Sequence, residues 1–194
     1  MMKQSVLLIL LLTLSCYSYG NGDVNYKHKA IQKTLVKSCK LLNPQLSEIT
    51  LPEELSVATE GKFFNVESDA DTEIKHVYIG RVNSCRAGGC SIADDAMLGA
   101  SEYFDYMVLF NDACNVVLVK VFNYQASHGH EVTAKGWLKQ FIGYSVEDNL
   151  EVGKNIDSIS GATISVNGIT NDVEEKTSLL KEVVQAEAKI ATTL

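Results

Sequence analysis

Proline is nearly absent, with two in 194 residues, and the thirteen glycines follow no repeat. A collagen-like or extended disordered chain is therefore excluded. Basic residues are scarce as well: 17 Lys and Arg face 24 Asp and Glu, for a net charge of −7 and a pI near 5.1. That balance argues against nucleic acid as a partner, because phosphate binding calls for a basic face. No apolar run reaches the about 18 residues of a conventional membrane span. Also missing are a nucleophile elbow, a Walker-type phosphate loop and a His-Glu-x-x-His helix, so classical hydrolase chemistry has no support. What is present is 46% hydrophobic and 21% charged residues. This suits one domain, or one with a small appendage, and allows a real core.

The N-terminus reads as an address. Lys3 precedes the apolar run Val6–Leu12, and small residues follow at Ser18 and Gly20. This order of basic, apolar and small residues is that of a secretory signal, with cleavage after Gly20. The domain reading is thus signal peptide 1–20, an N-terminal helix and irregular segment 21–73, and a main domain 74–194. Cleavage would remove one lysine and no acid, taking the charge to −8. Leu14-Ser15-Cys16 is also a partial lipoprotein signal, with Thr13 where leucine is usual, so a lipid anchor at Cys16 stays open. The expected location is outside the cytoplasmic membrane, periplasmic or membrane-associated.

Four cysteines remain after such cleavage: Cys39, Cys85, Cys90 and Cys114. In an oxidising compartment they permit two disulfides in any of three pairings. Cys39 falls at helical spacing with Ile31, Leu35 and Leu42, which suits a buried, inert thiol. Cys85 and Cys90 flank Arg86-Ala87-Gly88-Gly89, a loop flexible enough for a local disulfide. A second function class uses the same pair: with His128 and His130 they make a Cys₂His₂ set for zinc or copper, both imidazoles falling on one side of an extended segment. A third has the pair relaying electrons by thiol–disulfide exchange.

Periodicity sets the expected elements. Residues 24–42 read as an amphipathic helix stopped by Asn43-Pro44. The polar stretch 45–73 suggests irregular pieces with one strand at Lys62–Val66. Ile74–Val82 reads as a strand, and Ala93–Ser101 as a helical turn. Phe104–Phe110 and Val116–Tyr124 form a hairpin across Asn111–Asn115. Ala134–Ile142 reads as a short helix burying Trp137, Leu138 and Phe141. Ile169, Val173, Leu180 and Val184 mark one face of a long final helix. The fold class is α+β: a mainly antiparallel sheet with N-terminal and C-terminal helices packed on it.

The segment that carries chemistry is Asp157-Ser158-Ile159-Ser160-Gly161-Ala162-Thr163-Ile164-Ser165, just before the final helix. Read as residues alone it is a Ser-rich helix start with Ser160 as N-cap. Small side chains, free backbone N–H groups and a helix dipole suit a phosphate as well as an ordinary cap.

The run Asp-x-x-Ser-Gly-Ala-Thr resembles the covalent-flavin signature of the FMN-binding domain family. That family includes the C subunit of sodium-pumping NADH:quinone reductases and the G subunit of the related Rnf electron-transfer complexes. The resemblance extends from about Ile74 to Thr170 and includes the stretch Glu131–Gly143. It implies FMN joined through its phosphate to the hydroxyl of Thr163, installed by a separate flavin transferase that uses FAD. Asp157 would serve recognition by that transferase, and Ser160, Gly161 and Ala162 would form the small-residue approach. The implied activity is electron transfer with a membrane redox complex, by a carrier rather than an enzyme with its own substrate. Where the better-known subunits carry His-x-Glu-Thr-Pro-Gly, this chain has His128-Gly129-His130-Glu131-Val132-Thr133. Trp137, Phe141 and Tyr144 are the aromatic candidates for packing on a flavin ring.

Overall fold

The computed structural model describes residues 23–52, 60–86 and 101–193. The segment 1–20 expected as a signal peptide, the Gly-rich loop with Cys90 and the turn expected at 93–101 fall outside the described residues, apart from Ser101.

Five strands form one antiparallel sheet in the order β1 to β5: β1 (Gln45–Glu48), β2 (Gly61–Glu67), β3 (Ile74–Arg86), β4 (Ser101–Asn111) and β5 (Val116–Tyr124). β3 and β4 are the long central pair, and they are apolar on both faces. On one face lie Tyr78, Val82, Phe104, Tyr106, Val108 and Phe110. On the other lie Val77, Ile79, Met107 and Leu109. A strand covered on both sides loses the polar alternation of a half-exposed one, which is why these runs read as nearly continuous β-formers. The hairpin between β4 and β5 is closed by Asn111, whose Oδ1 accepts the backbone N–H groups of Ala113 at 3.0 Å and Asn115 at 2.9 Å.

The first face is covered by the final helix, α3 (Thr163–Thr193), which follows α1 (Lys29–Lys33) and α2 (Lys135–Leu138) in the chain. Val166, Ile169, Val173, Leu180 and Val183 of α3 enter the core, as the predicted stripe requires, while Val184 packs half-buried at its margin. Gly168 sets how closely α3 approaches β3, since a Cβ there would lie 2.8 Å from Val82 Cγ1. α2 runs into a 3₁₀ turn over Lys139–Phe141, matching the short helix expected there. Beneath α3 the Tyr106 hydroxyl donates to Asp172 Oδ2 at 2.5 Å. The buried Lys176 ammonium lies 3.2 Å from Asp172 Oδ1 and 2.6 Å from Glu175 Oε1. Burial raises the Asp172 carboxyl above the usual range, with Lys176 and Tyr106 opposing it.

The second face is covered by the N-terminal segment, and here the sequence reading needs correction. The helix expected over 24–42 is only α1, five residues long, followed by a π-helical turn over Thr34–Ser38. The left-handed backbone of Lys40 (φ 58°) ends it and turns the chain so that Leu41 is buried. Leu42, assigned to the apolar face, is 58% exposed. β1 has no counterpart in the reading, because its side chains are mostly exposed and show no alternation. Only its pairing with β2 makes it a strand. β3 also runs past Val82 to Arg86, so Cys85 belongs to a strand.

Cys39 and Cys114 carry free thiols. Cys39 is half-buried rather than buried, and burial is the main cause that raises both thiols. Both thiols are thereby favoured over their thiolates. The pairing of Cys85 with Cys90 lies outside the described side chains. Among the described residues no helix is long and apolar enough to cross a membrane.

Candidate functional site

The Asp157–Ser165 segment is anchored before it turns. Trp137 Nε1–H donates to the Asp157 carbonyl at 2.8 Å, and the Asp157 N–H donates to Gln140 Oε1 at 2.7 Å. α2 and the turn after it thus hold the entry of the motif through both backbone polar groups of Asp157. The Ala162 N–H then donates to the Ile159 carbonyl at 3.1 Å, closing a β-turn over 159–162. Gly161 has φ +79° at the third position of that turn, the left-handed conformation a type II turn requires. A Cβ at Gly161 would meet nothing within 4 Å, so the glycine answers to backbone shape and not to crowding.

The turn relocates the helix start. The Ala162 carbonyl accepts the first helical bond, from the Val166 N–H at 2.9 Å, and Thr163 is the first helical residue. Ser160, expected as the N-cap, stands one turn earlier and is exposed. The reversal at Gly161 separates its side chain from the helix. The N–H groups of Thr163, Ile164 and Ser165 lead the helix without intrahelical acceptors. They carry the positive end of a 31-residue dipole.

Burial divides the motif. Asp157, Ser160, Gly161 and Thr163 are exposed, and Ala162, Ser165 and Val166 point into the protein. Ile164, beside Thr163, is 41% exposed. The five residues assigned to the site therefore form one exposed bend with a buried alanine as its foot.

Residues from three other segments support this bend, and the sequence reading named none of them in that role. Ser84 on β3 and Ser165 share a hydrogen bond at 2.9 Å, latching the first turn of α3 to the sheet. Gly129, at φ +82°, rests on the same turn, where a Cβ would come within 3.1 Å of Ala162 Cβ and 3.2 Å of Ser165 Oγ. The Tyr124 hydroxyl donates to the His128 carbonyl, and its ring stacks on Phe104 with centroids 5.6 Å apart. Burial, then the charges of Glu102 and Glu131, raise the Tyr124 phenol, while a hydrogen bond with Ser165 opposes them. Ser127 donates to Glu102 and pairs with His128 Nδ1. Motif spacing carries no trace of these partners; the one local signal was the His128-Gly129-His130 run.

The other candidates separate. Phe141 and Tyr144 are buried in the core and present no face to a flavin, whereas Trp137 is half-buried beside Asp157. His128 and His130 do not share one side of an extended strand. Gly129 turns the chain between them, His130 opens a 3₁₀ turn, and its ring packs edge-on against Tyr124 at 5.2 Å. Among the described residues, no three His, Cys, Asp or Glu side chains are grouped to hold a metal ion. The Cys90 half of the thiol proposals lies outside the described residues.

No curated protein matches this chain. A family model does match, that of the FMN-binding domain, over residues 99–177. The match takes in β4, β5, the Tyr124–Thr133 support, the motif and the first half of α3. Residues 99–177 therefore match the FMN-binding domain, and that match points to FMN as the cofactor of this region.

Proposed function

We propose that this chain is an exported flavoprotein that carries FMN as a phosphoester on Thr163 and exchanges electrons with a membrane redox complex. The observation that carries the reading is the setting of Thr163. Its hydroxyl is exposed, it opens the long helix, and it follows a glycine turn with open space around it. A separate flavin transferase needs that access. In the transfer, Thr163 Oγ bonds to the flavin-side phosphorus of FAD, the pyrophosphate bond breaks, AMP leaves and the hydroxyl proton passes to solvent.

FMN supplies electron transfer when bound; the protein positions it and sets its surroundings. The leading N–H groups of α3 would offer a phosphate on Thr163 the favourable end of the helix dipole, worth about 0.3–1 kcal/mol at an exposed site. Ser84 and Gly129 hold that end in place through Ser165 and Ala162. Asp157 lies exposed at the entry of the bend, open to recognition by a transferase. A covalent link keeps the cofactor from diffusing away in a compartment poor in free flavin.

Co-expression with an active flavin transferase, followed by intact-mass spectrometry, tests the reading. The expected product is heavier by FMN less water, fluoresces on a denaturing gel and loses both properties in Thr163→Ala. A colourless, unmodified wild-type chain overturns it, as does a Thr163→Ala variant that keeps the adduct. The same spectrum reports cleavage after Gly20 or a lipid on Cys16.

A further inference from the structure

A second concave site lies away from Thr163, on the outer side of the edge strand β5. A cavity of about 230 Å³ opens between β5, the π-helical turn and α2. Its walls are apolar: Leu118 and Val119 come from β5, and Leu138 and Ile142 from the opposite side. Ile142 is 51% exposed there, one of few large apolar side chains so placed among the described residues.

The rim is basic in an acidic protein. Lys120, Lys135 and Lys139 all line the cavity. Among the described residues no carboxylate lies within ion-pair distance of any of them. Lys120 is held in place: its ammonium donates to Thr34 Oγ1 at 2.9 Å. Thr34 is fully buried and its own hydroxyl proton goes to the Ala30 carbonyl at 2.8 Å, so Oγ1 is committed to accepting. An ammonium has three N–H donors, and Thr34 takes one. Burial, then the nearby charges of Lys135 and Lys33, press the Lys120 pKa down. An anion bound on this rim would offset that repulsion between like charges.

We propose that this cavity binds a small organic anion with an apolar tail, the tail between Leu118, Leu138 and Ile142 and the head group on Lys120. Its size sets the class of ligand. An apolar cavity of about 150 Å³ accepts benzene, so 230 Å³ takes a tail of roughly nine non-hydrogen atoms or fewer. A medium-chain carboxylate meets both demands.

Calorimetric titration of the full chain with sodium octanoate, octanol and octylammonium tests this. Octanoate is expected to saturate at one per chain with a Kd below about 1 mM, and octanol to bind about tenfold more weakly. Octylammonium is expected not to bind. Lys120→Met keeps the apolar stem and is expected to bring octanoate down to the level of octanol while leaving octanol unchanged. Lys62→Met, on β2 toward the far side of the sheet and beside Glu48, is expected to change nothing. Octanoate and octanol binding alike, an unchanged octanoate affinity in Lys120→Met, or no saturation overturns the proposal; the last is the result if β5 instead recruits an acidic peptide strand. Circular dichroism checks that each variant is folded. The Thr163→Ala variant is expected to bind octanoate as the wild type does, so this site and the flavin reading fail separately.

Discussion

The two faces of the sheet are covered in different ways, and the difference explains why the candidate site sits where it does. One face lies under a single 31-residue helix whose apolar stripe meets Tyr78, Phe104, Tyr106 and Val108. The other lies under a five-residue helix, a π-helical turn and irregular chain. A long helix pinned along its length holds its own N-terminus to the sheet, and Thr163 inherits that rigidity. On the second face the β3–β4 segment also holds two charged side chains, Arg81 and Asp105, and both are buried. There the sheet carries a buried ion pair: Arg81 Nε donates to Asp105 Oδ1 at 2.7 Å, and Asn123 donates to Oδ2 at 2.7 Å. The Tyr103 ring lies 3.6 Å from the guanidinium carbon. Apolar contact secures the first face over its length, and charge complementarity secures part of the second.

The comparison is broken most strongly at that ion pair. Arg81→Leu leaves Asp105, 1% exposed, as an uncompensated buried charge. The expected loss is about 3–5 kcal/mol, or a fall in Tm of roughly 10 °C in a chain of this size. It is read by thermal denaturation. Flavin attachment to the fraction that remains folded is expected to be unaffected, because the site belongs to the other face. A smaller effect is expected under α3. Tyr106→Phe removes the donor to the half-buried Asp172 carboxylate and should cost about 1.5–3 kcal/mol in urea unfolding. Here stability and flavin attachment should decline together, since both depend on the seating of α3.

Gly129→Ala sharpens the comparison at the site itself. A left-handed φ costs a residue with a Cβ about 1–2 kcal/mol, and the new methyl group would sit 3.1 Å from Ala162 Cβ. The expected signature is a modest loss of stability with a disproportionate loss of adduct by mass spectrometry. The smallest effect is one of pH. His76 is half-buried and paired with Asn65 at 2.9 Å, and burial holds its pKa below the ordinary value. The unfolded chain therefore binds this proton more tightly. The His76 contribution to stability is complete above about pH 6.5, the unfolded value, and falls as pH drops through it. His76→Gln is expected to flatten that part of the stability profile, measured by denaturant unfolding between pH 5 and 8.

Much of this molecule was legible without coordinates. The β4–β5 hairpin, the helix around Trp137 and the stripe of α3 follow from apolar spacing, because each is a local pattern repeated over several residues. That a helix starts at the Ser-Gly-Ala-Thr run was legible as well, but the turn at Gly161 was not, and it moves the helix start from Ser160 to Thr163. β1 was not, because an exposed edge strand has no period to detect. The early end of α1 was not, because one left-handed lysine decides it.

By itself, then, the sequence determined an α+β chain with a flavin-type motif ahead of its last helix. The tertiary structure decided what supports that motif: Ser84 meets Ser165 across 81 residues, and Gly129 meets Ala162. The same holds for the lysines around the β5 cavity, where Lys120 meets Thr34 across 86 residues. Contacts of that separation depend on strand order and register, which arise from the summed packing of the whole sheet and leave no imprint on any one stretch of chain.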